Sequence, residues 1–170
     1  LGRLPEAVRR AARFAPGPRA PFGWASLRPS HEAPASLLPL PGPRLDISEA
    51  AREGERLRVR AWLRSPRGAP EGQVAFHPGV AVEAFSFDGV PVPPAEARVS
   101  RWFGGWTVFR NGTLPPAGTR VEMLLRGAAP IEVHVADQSP GLPSEGERVA
   151  ASRPDDAVSV QEGDVTLFTR

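Results

Sequence analysis

Three histidines carry the first chemical question in this chain, because imidazole is the side chain that most often binds catalytic zinc or moves protons near neutral pH. They are His31, His77 and His134. His31-Glu32 opens like the His-Glu-x-x-His motif of zinc peptidases, in which two imidazoles one helical turn apart hold the metal and the glutamate serves as base. Ala35 stands where the second imidazole is required, so that pair closes no site. Glu132 and His134 lie two apart on an expected strand and share the face opposite Ile131, Val133 and Val135. Nothing local adds a third ligand, and an ordinary solvated pair is expected. Asp137 is expected to hydrogen-bond within the turn that holds Ser139, Pro140 and Gly141. The whole segment Asp137, Ser139, Gly141, Leu142 and Pro143 is read as a structural turn.

Nucleophilic chemistry finds no footing either. The chain has no cysteine, no Gly-x-Ser-x-Gly elbow, no phosphate-binding loop and no dinucleotide glycine fingerprint. The acidic pairs Asp155-Asp156 and Glu53 with Glu55 are expected in solvated turns or linkers. No catalytic, metal-binding or cofactor-binding residue is therefore assigned, and no cofactor is expected.

Aromatic and basic side chains remain as a candidate interaction surface. Trp62, Trp102 and Trp106 could stack on a ligand, and Arg56, Arg58 and Arg60 could attract an anionic one. The plainer readings place Trp102 and Trp106 in the core or at its rim, and Trp62 under an N-terminal connector. The arginines would be the polar face of an edge strand. Asn111-Gly112-Thr113 fits the glycosylation sequon, but an Asn-Gly turn accounts for it without a glycan.

Composition narrows the class of protein. With 21 prolines and 17 glycines in 170 residues, long uninterrupted helices are excluded, whereas short strands joined by turns are favoured. Every one of the 21 basic residues is arginine, and lysine, tyrosine and cysteine are absent. Few groups titrate between histidine and arginine, so a net charge of only +2 yields a calculated pI of 10.7. That value is no sign of a nucleic-acid partner. No window approaches the roughly 18 apolar residues of a spanning helix. The chain opens on leucine, and the expectation is a fragment with any targeting or membrane segment upstream.

The elements that would position these residues follow from periodicity. Residues 4–14 have a helical pattern, with Leu4, Val8 and Ala11 on one side and Arg9, Arg10 and Arg13 on the other. A packed helix and a basic membrane-surface segment both fit it. The proline-crowded stretch 15–45 reads as an extended connector, which puts domain boundaries at 1–44 and 45–170. Beyond it the period becomes two. Leu57, Val59, Ala61 and Leu63 alternate with Arg56, Arg58, Arg60 and Arg64 in a half-buried strand ended by Ser65-Pro66-Arg67-Gly68. Further strands are predicted at 73–77, 81–87, 90–92, 106–110, 121–125, 131–135 and 165–169, with turns at Pro78-Gly79, Asp88-Gly89 and Asn111-Gly112. Residues 138–154 read as a proline-rich loop. Seven to eight short strands at such intervals predict an antiparallel β-sandwich of immunoglobulin or fibronectin type, preceded by a short helix and a Pro-rich connector.

From about Leu45 onward the order of segments resembles the C-terminal, non-catalytic β domain of bacterial membrane-anchored members of metallopeptidase family twenty-eight, the aminopeptidase-like zinc hydrolases. The segments are Leu57 to Ala69, ending in Ser-Pro-Arg-Gly-Ala, and Phe85-Ser86-Phe87-Asp88-Gly89-Val90-Pro91-Val92. They continue with Gly105 to Arg110 followed by Leu114-Pro115-Pro116-Ala117-Gly118, then Asp137-Gln138-Ser139-Pro140-Gly141-Leu142-Pro143, and finally Gly163 to Arg170. The resemblance implies a larger protein with a two-zinc peptidase domain, membrane helices and this sandwich on the extracytoplasmic side, tethered through the parent chain. Its partners would be the upstream peptidase domain and membrane helices of the same polypeptide, and peptides. None of the family's zinc ligands maps onto this chain. The expected role is to position or shield the peptidase domain or its substrates. A free-standing carbohydrate or cell-surface binding module using exposed tryptophan is the alternative, and a small enzyme around Glu132, His134 and Asp137 is the second.

Overall fold

A computed structural model describes residues 6–12, 39–100, 105–140, 144–152 and 164–169. Ten strands dominate it. They are β1 (Arg44–Glu53), β2 (Arg56–Arg64), β3 (Glu71–Phe76), β4 (Ala81–Phe87), β5 (Val90–Pro91), β6 (Arg98–Ser100), β7 (Trp106–Asn111), β8 (Thr119–Arg126), β9 (Val133–Ser139) and β10 (Asp164–Thr169). Two helices, α1 (Glu6–Ala12) and α2 (Ser144–Ala151), lie against each other.

The strands form two antiparallel sheets, β1-β2-β8-β4-β5 and β10-β9-β3-β7-β6. The order β1-β2-β8-β4 reproduces the A-B-E-D sheet of an immunoglobulin domain, and β10-β9-β3 reproduces its G-F-C sheet. The β6–β7 hairpin extends the second sheet beyond β3. The sandwich expected from strand spacing is therefore the fold observed. Its physical basis is visible in β2, where Val59, Ala61 and Leu63 are buried while Arg56, Arg58, Arg60 and Trp62 face out. Val121, Met123 and Leu125 of β8 repeat the pattern beside them.

Between the sheets, Phe85 of β4 stacks on Phe109 of β7 with centroids 3.9 Å apart, and Phe76 of β3 meets both rings edge-on. Edge-to-face contacts suit the ring quadrupoles, and with the Phe85–Phe109 stack they tie the two sheets together at their centre.

Three expectations need correction. β2 is not an edge strand, because β1 covers its outer side. β1 escaped prediction: Glu49-Ala50-Ala51-Arg52-Glu53 has no apolar alternation and its residue types favour helix. Pairing with β2 overrides that preference. Ile47, 55% exposed, shows how little of β1 packs inward beyond Leu45. The stretch 138–154, read as a loop, contains the end of β9 and the proline-free helix α2. The helix predicted at 4–14 is present at Glu6–Ala12.

Candidate functional site

One end of the sandwich gathers most of the segments singled out by motif. Ser65 to Ala69 leaves β2, Asp88-Gly89 leaves β4, Leu114 to Gly118 enters β8, and Asp137 lies near the end of β9.

Asp137 was expected in a turn and is instead fully buried inside β9. Its side chain lies on the inner face with Val133 and Val135, as alternation along the strand requires. The Ser65 hydroxyl donates to Asp137 Oδ2 at 2.5 Å, and Arg67 Nε and Nη2 donate to Oδ1 at 3.0 and 2.9 Å. Arg67 also reaches the Asp137 carbonyl oxygen at 3.2 Å. The Arg67 side chain is 8% exposed and that of Asp137 0%, so this is a buried ion pair. Ser65 completes the knot by accepting the Ala69 N–H on its hydroxyl oxygen at 2.9 Å. A tight turn explains the local sequence: the Gly68 N–H donates to the Ser65 carbonyl at 3.0 Å, with Pro66 at the second turn position and Gly68 at the fourth. Ser139 ends β9, while Gly141, Leu142 and Pro143 lie outside the described residues.

The neighbouring turns are fastened in the same way. Asp88 and Gly89 both have positive φ, 48° and 80°, as a two-residue hairpin loop of the primed type demands. Asp88 accepts from the buried Thr119 hydroxyl at 2.5 Å and from the Arg120 N–H at 2.7 Å. Those two hydrogen bonds, Thr119 first, hold the Asp88 carboxyl below its ordinary value. Leu114 donates its N–H to the Pro70 carbonyl, and Gly118 closes a turn onto Pro115. At Gly118, φ is +89° and a Cβ would sit 2.7 Å from the Leu63 carbonyl oxygen, so no other residue fits without rearrangement.

The depressed Asp88 carboxyl gives a pH prediction with a definite sign. Its stabilising effect is complete above the ordinary aspartate value of 3.8 and is lost as pH falls through the lower folded-state value. Thr119→Val removes the larger of the two causes, so the Asp88 carboxyl in the variant titrates closer to 3.8. Carboxyl NMR titration of Asp88 in both proteins checks this, and an unchanged midpoint in Thr119→Val contradicts it.

The candidate interaction residues divide between two other places. Arg56, Arg58, Arg60 and Trp62 share the outer face of the first sheet. The ladder is interleaved with carboxylates: Arg60 pairs with Glu49 at 2.7 Å, Arg64 with Asp46 at 2.6 Å and Arg56 with Glu83 at 2.9 Å. Such exposed pairs contribute about 0–1 kcal/mol each, and they reduce the field available to an anionic ligand. Trp62 is 36% exposed, with the Arg64 guanidinium 5.3 Å from its ring centroid.

Trp106 lies on the outer face of the second sheet, packed on Ala75, Val108 and Ala136. The ring of His77 meets it edge-on at 5.4 Å, and that of His134 lies 4.6 Å away. His134 was expected to be solvated, yet its side chain is only 17% exposed and Nε2 stands 2.6 Å from Glu132 Oε1. Trp106 shields it. Glu132 precedes β9, which starts at Val133 rather than at Ile131. Among the described residues no three His, Cys, Asp or Glu side chains converge as metal ligands would. Trp102 and His31 lie outside the described residues.

The geometry thus defines a mainly β, immunoglobulin-like sandwich with motif residues at one end and separate Trp–Arg and Trp–His groups on its two outer faces. No known family pattern matches the chain, and no curated protein does. Among solved structures it is similar to the chitin-binding domain of a hyperthermophilic chitinase from Pyrococcus furiosus, at 14% identity, covering 61% of this chain and 95% of that domain with a TM-score of 0.35. A likeness so slight assigns no role.

Proposed function

We propose that this chain is a non-catalytic, extracytoplasmic accessory domain of a membrane-bound zinc metallopeptidase of the family-twenty-eight type, where it positions or shields the peptidase domain or its peptide substrates. The observation that supports this most is the fate of the motif residues. Ser65 and Arg67 both donate to Asp137, and Asp88 accepts from Thr119 and Arg120. Residues that fasten two turns to neighbouring strands at one end of a sandwich build a rigid platform, and a rigid platform is what an attached domain uses for docking.

The purified chain, supplied with zinc and aminoacyl substrates, is expected to release no product above buffer, and its reading frame is expected to encode spanning helices and a set of zinc ligands upstream. Zinc-dependent turnover by the chain alone, or a reading frame without those ligands, ends the proposal.

A carbohydrate-binding role draws on one specific observation, the partial exposure of Trp62 on the outer face of the first sheet. Arg64 already stands over that indole and is held there by Asp46, so a sugar would have to displace it. Retention of the same purified chain on insoluble polysaccharide, lost in Trp62→Ala, would replace the accessory reading with this one.

A further inference from the structure

The sequon residues Asn111-Gly112-Thr113 are engaged in neither the motif knot nor the tryptophan groups, and their geometry carries chemistry of its own. Asn111 ends β7 half-exposed, and Gly112 and Thr113 are exposed in the loop that follows. The Asn111 side-chain carbonyl, Oδ1, accepts the Thr113 N–H at 2.9 Å and the Thr113 hydroxyl at 3.4 Å. At Gly112 a Cβ would meet nothing within 4 Å and the residue is exposed, so solvent surrounds this part of the backbone.

We infer that Asn111 is a site of intramolecular deamidation, with the Asn111 side-chain amide as the substrate and water as the second reactant. The Gly112 backbone nitrogen, after giving its proton to solvent base, attacks Asn111 Cγ. Negative charge then builds on Oδ1, where the two Thr113 donors stand as a small oxyanion hole. Collapse of the tetrahedral species breaks the Cγ–Nδ2 bond, and the nitrogen takes up a proton and leaves as ammonia. The five-membered succinimide that remains is opened by water at either carbonyl, giving aspartate or isoaspartate at position 111. Glycine at 112 matters because any side chain would crowd the attacking nitrogen.

The product alters a defined place in the fold. Asn111 pairs with Gly72 at the end of the β3–β7 ladder, beside the Arg110–Glu71 ion pair. Aspartate adds a negative charge there. Isoaspartate lengthens the main chain by one bond, just before Leu114 binds the Pro70 carbonyl. The loop that enters β8 is thereby loosened at the motif end of the sandwich.

Peptide mapping by mass spectrometry of folded protein aged in mildly alkaline buffer tests this, with a synthetic peptide spanning residues 106–118 aged in parallel. Expected in the folded chain is conversion of amide to acid at 111, split between aspartate and isoaspartate, at a rate equal to or above that of the peptide. Thr113→Val, which removes the hydroxyl but keeps the N–H, is expected to slow the folded-state reaction about fivefold, the worth of one hydrogen bond of about 1 kcal/mol to the developing charge. Its effect on the peptide is expected to be small. Folded protein that keeps its amide while the peptide loses it overturns the inference, as does Thr113→Val reacting at the wild-type rate in the fold.

Discussion

Replacing Asp137 by alanine is expected to destabilise the folded chain by about 3–5 kcal/mol, because it takes away the carboxylate that a buried arginine binds through two of its nitrogens. The Arg67 side chain is 8% exposed and sends both Nε and Nη2 to the lost carboxylate. Water cannot take over that role without opening the turn. Ser65 loses its acceptor in the same step, and its hydroxyl also fixes the Ala69 N–H that starts the path into β3. In thermal denaturation the loss should appear as a fall in Tm of about 10 °C or more. A loss below about 1 kcal/mol would mean that Arg67 does not depend on the Asp137 carboxylate, and the buried-pair description would then fail.

The size of that loss should not be mistaken for the net worth of the knot. Desolvating both charges is itself expensive, so an apolar replacement of all three groups, Ser65→Ala with Arg67→Met and Asp137→Leu, is expected to recover most of the stability lost in Asp137→Ala. What the polar version adds is position. Its hydrogen bonds are directional and join the β2–β3 turn to β9 across about seventy residues of sequence.

Legibility in the sequence followed the strength of alternation. β2 and β4 were readable because one face of each is apolar and their ends carry Ser-Pro-Arg-Gly and Asp-Gly. β1 was not, since its pairing with β2 depends on backbone hydrogen bonds and outer-face ion pairs to Arg60 and Arg64 that no local pattern announces. Asp137 was legible in principle. It continues the series Ile131, Val133, Val135 at period two, and an aspartate in an inward register signals a buried partner. Its composition, beside Ser139-Pro140-Gly141, suggested a turn and outweighed the register. Nor could any one-dimensional reading bring Arg67 to it, because that contact exists only once two sheets have closed. The encounter of Trp106 with His77 and His134 is of the same kind, assembled from β7, β9 and the turn that follows β3.

The central aromatic cluster supplies the second large effect, of apolar origin. Phe76→Ala is expected to destabilise by about 3–5 kcal/mol, the range for removing a fully buried phenyl group. Phe76 has no exposed surface and touches Phe85 from one sheet and Phe109 from its own, with centroids 6.2 and 6.0 Å away. Its removal leaves the Phe85–Phe109 stack unsupported on one side, and the surrounding strands cannot close the gap without breaking ladder pairs. Phe87→Ala should cost less, because Phe87 lies at the edge of the cluster, 9% exposed and in ring contact with Phe85. Urea denaturation of both variants gives the comparison, and equal losses would refute the gradient. Phe76 and Gly72, the β3 partner of Asp137, are four residues apart along one strand, a separation of about 13 Å. At that distance the Phe76→Ala and Asp137→Ala losses should add to within about 0.5 kcal/mol. A clear shortfall in the double variant would show instead that the polar knot and the aromatic cluster give way together, as parts of one cooperative unit running the length of β3.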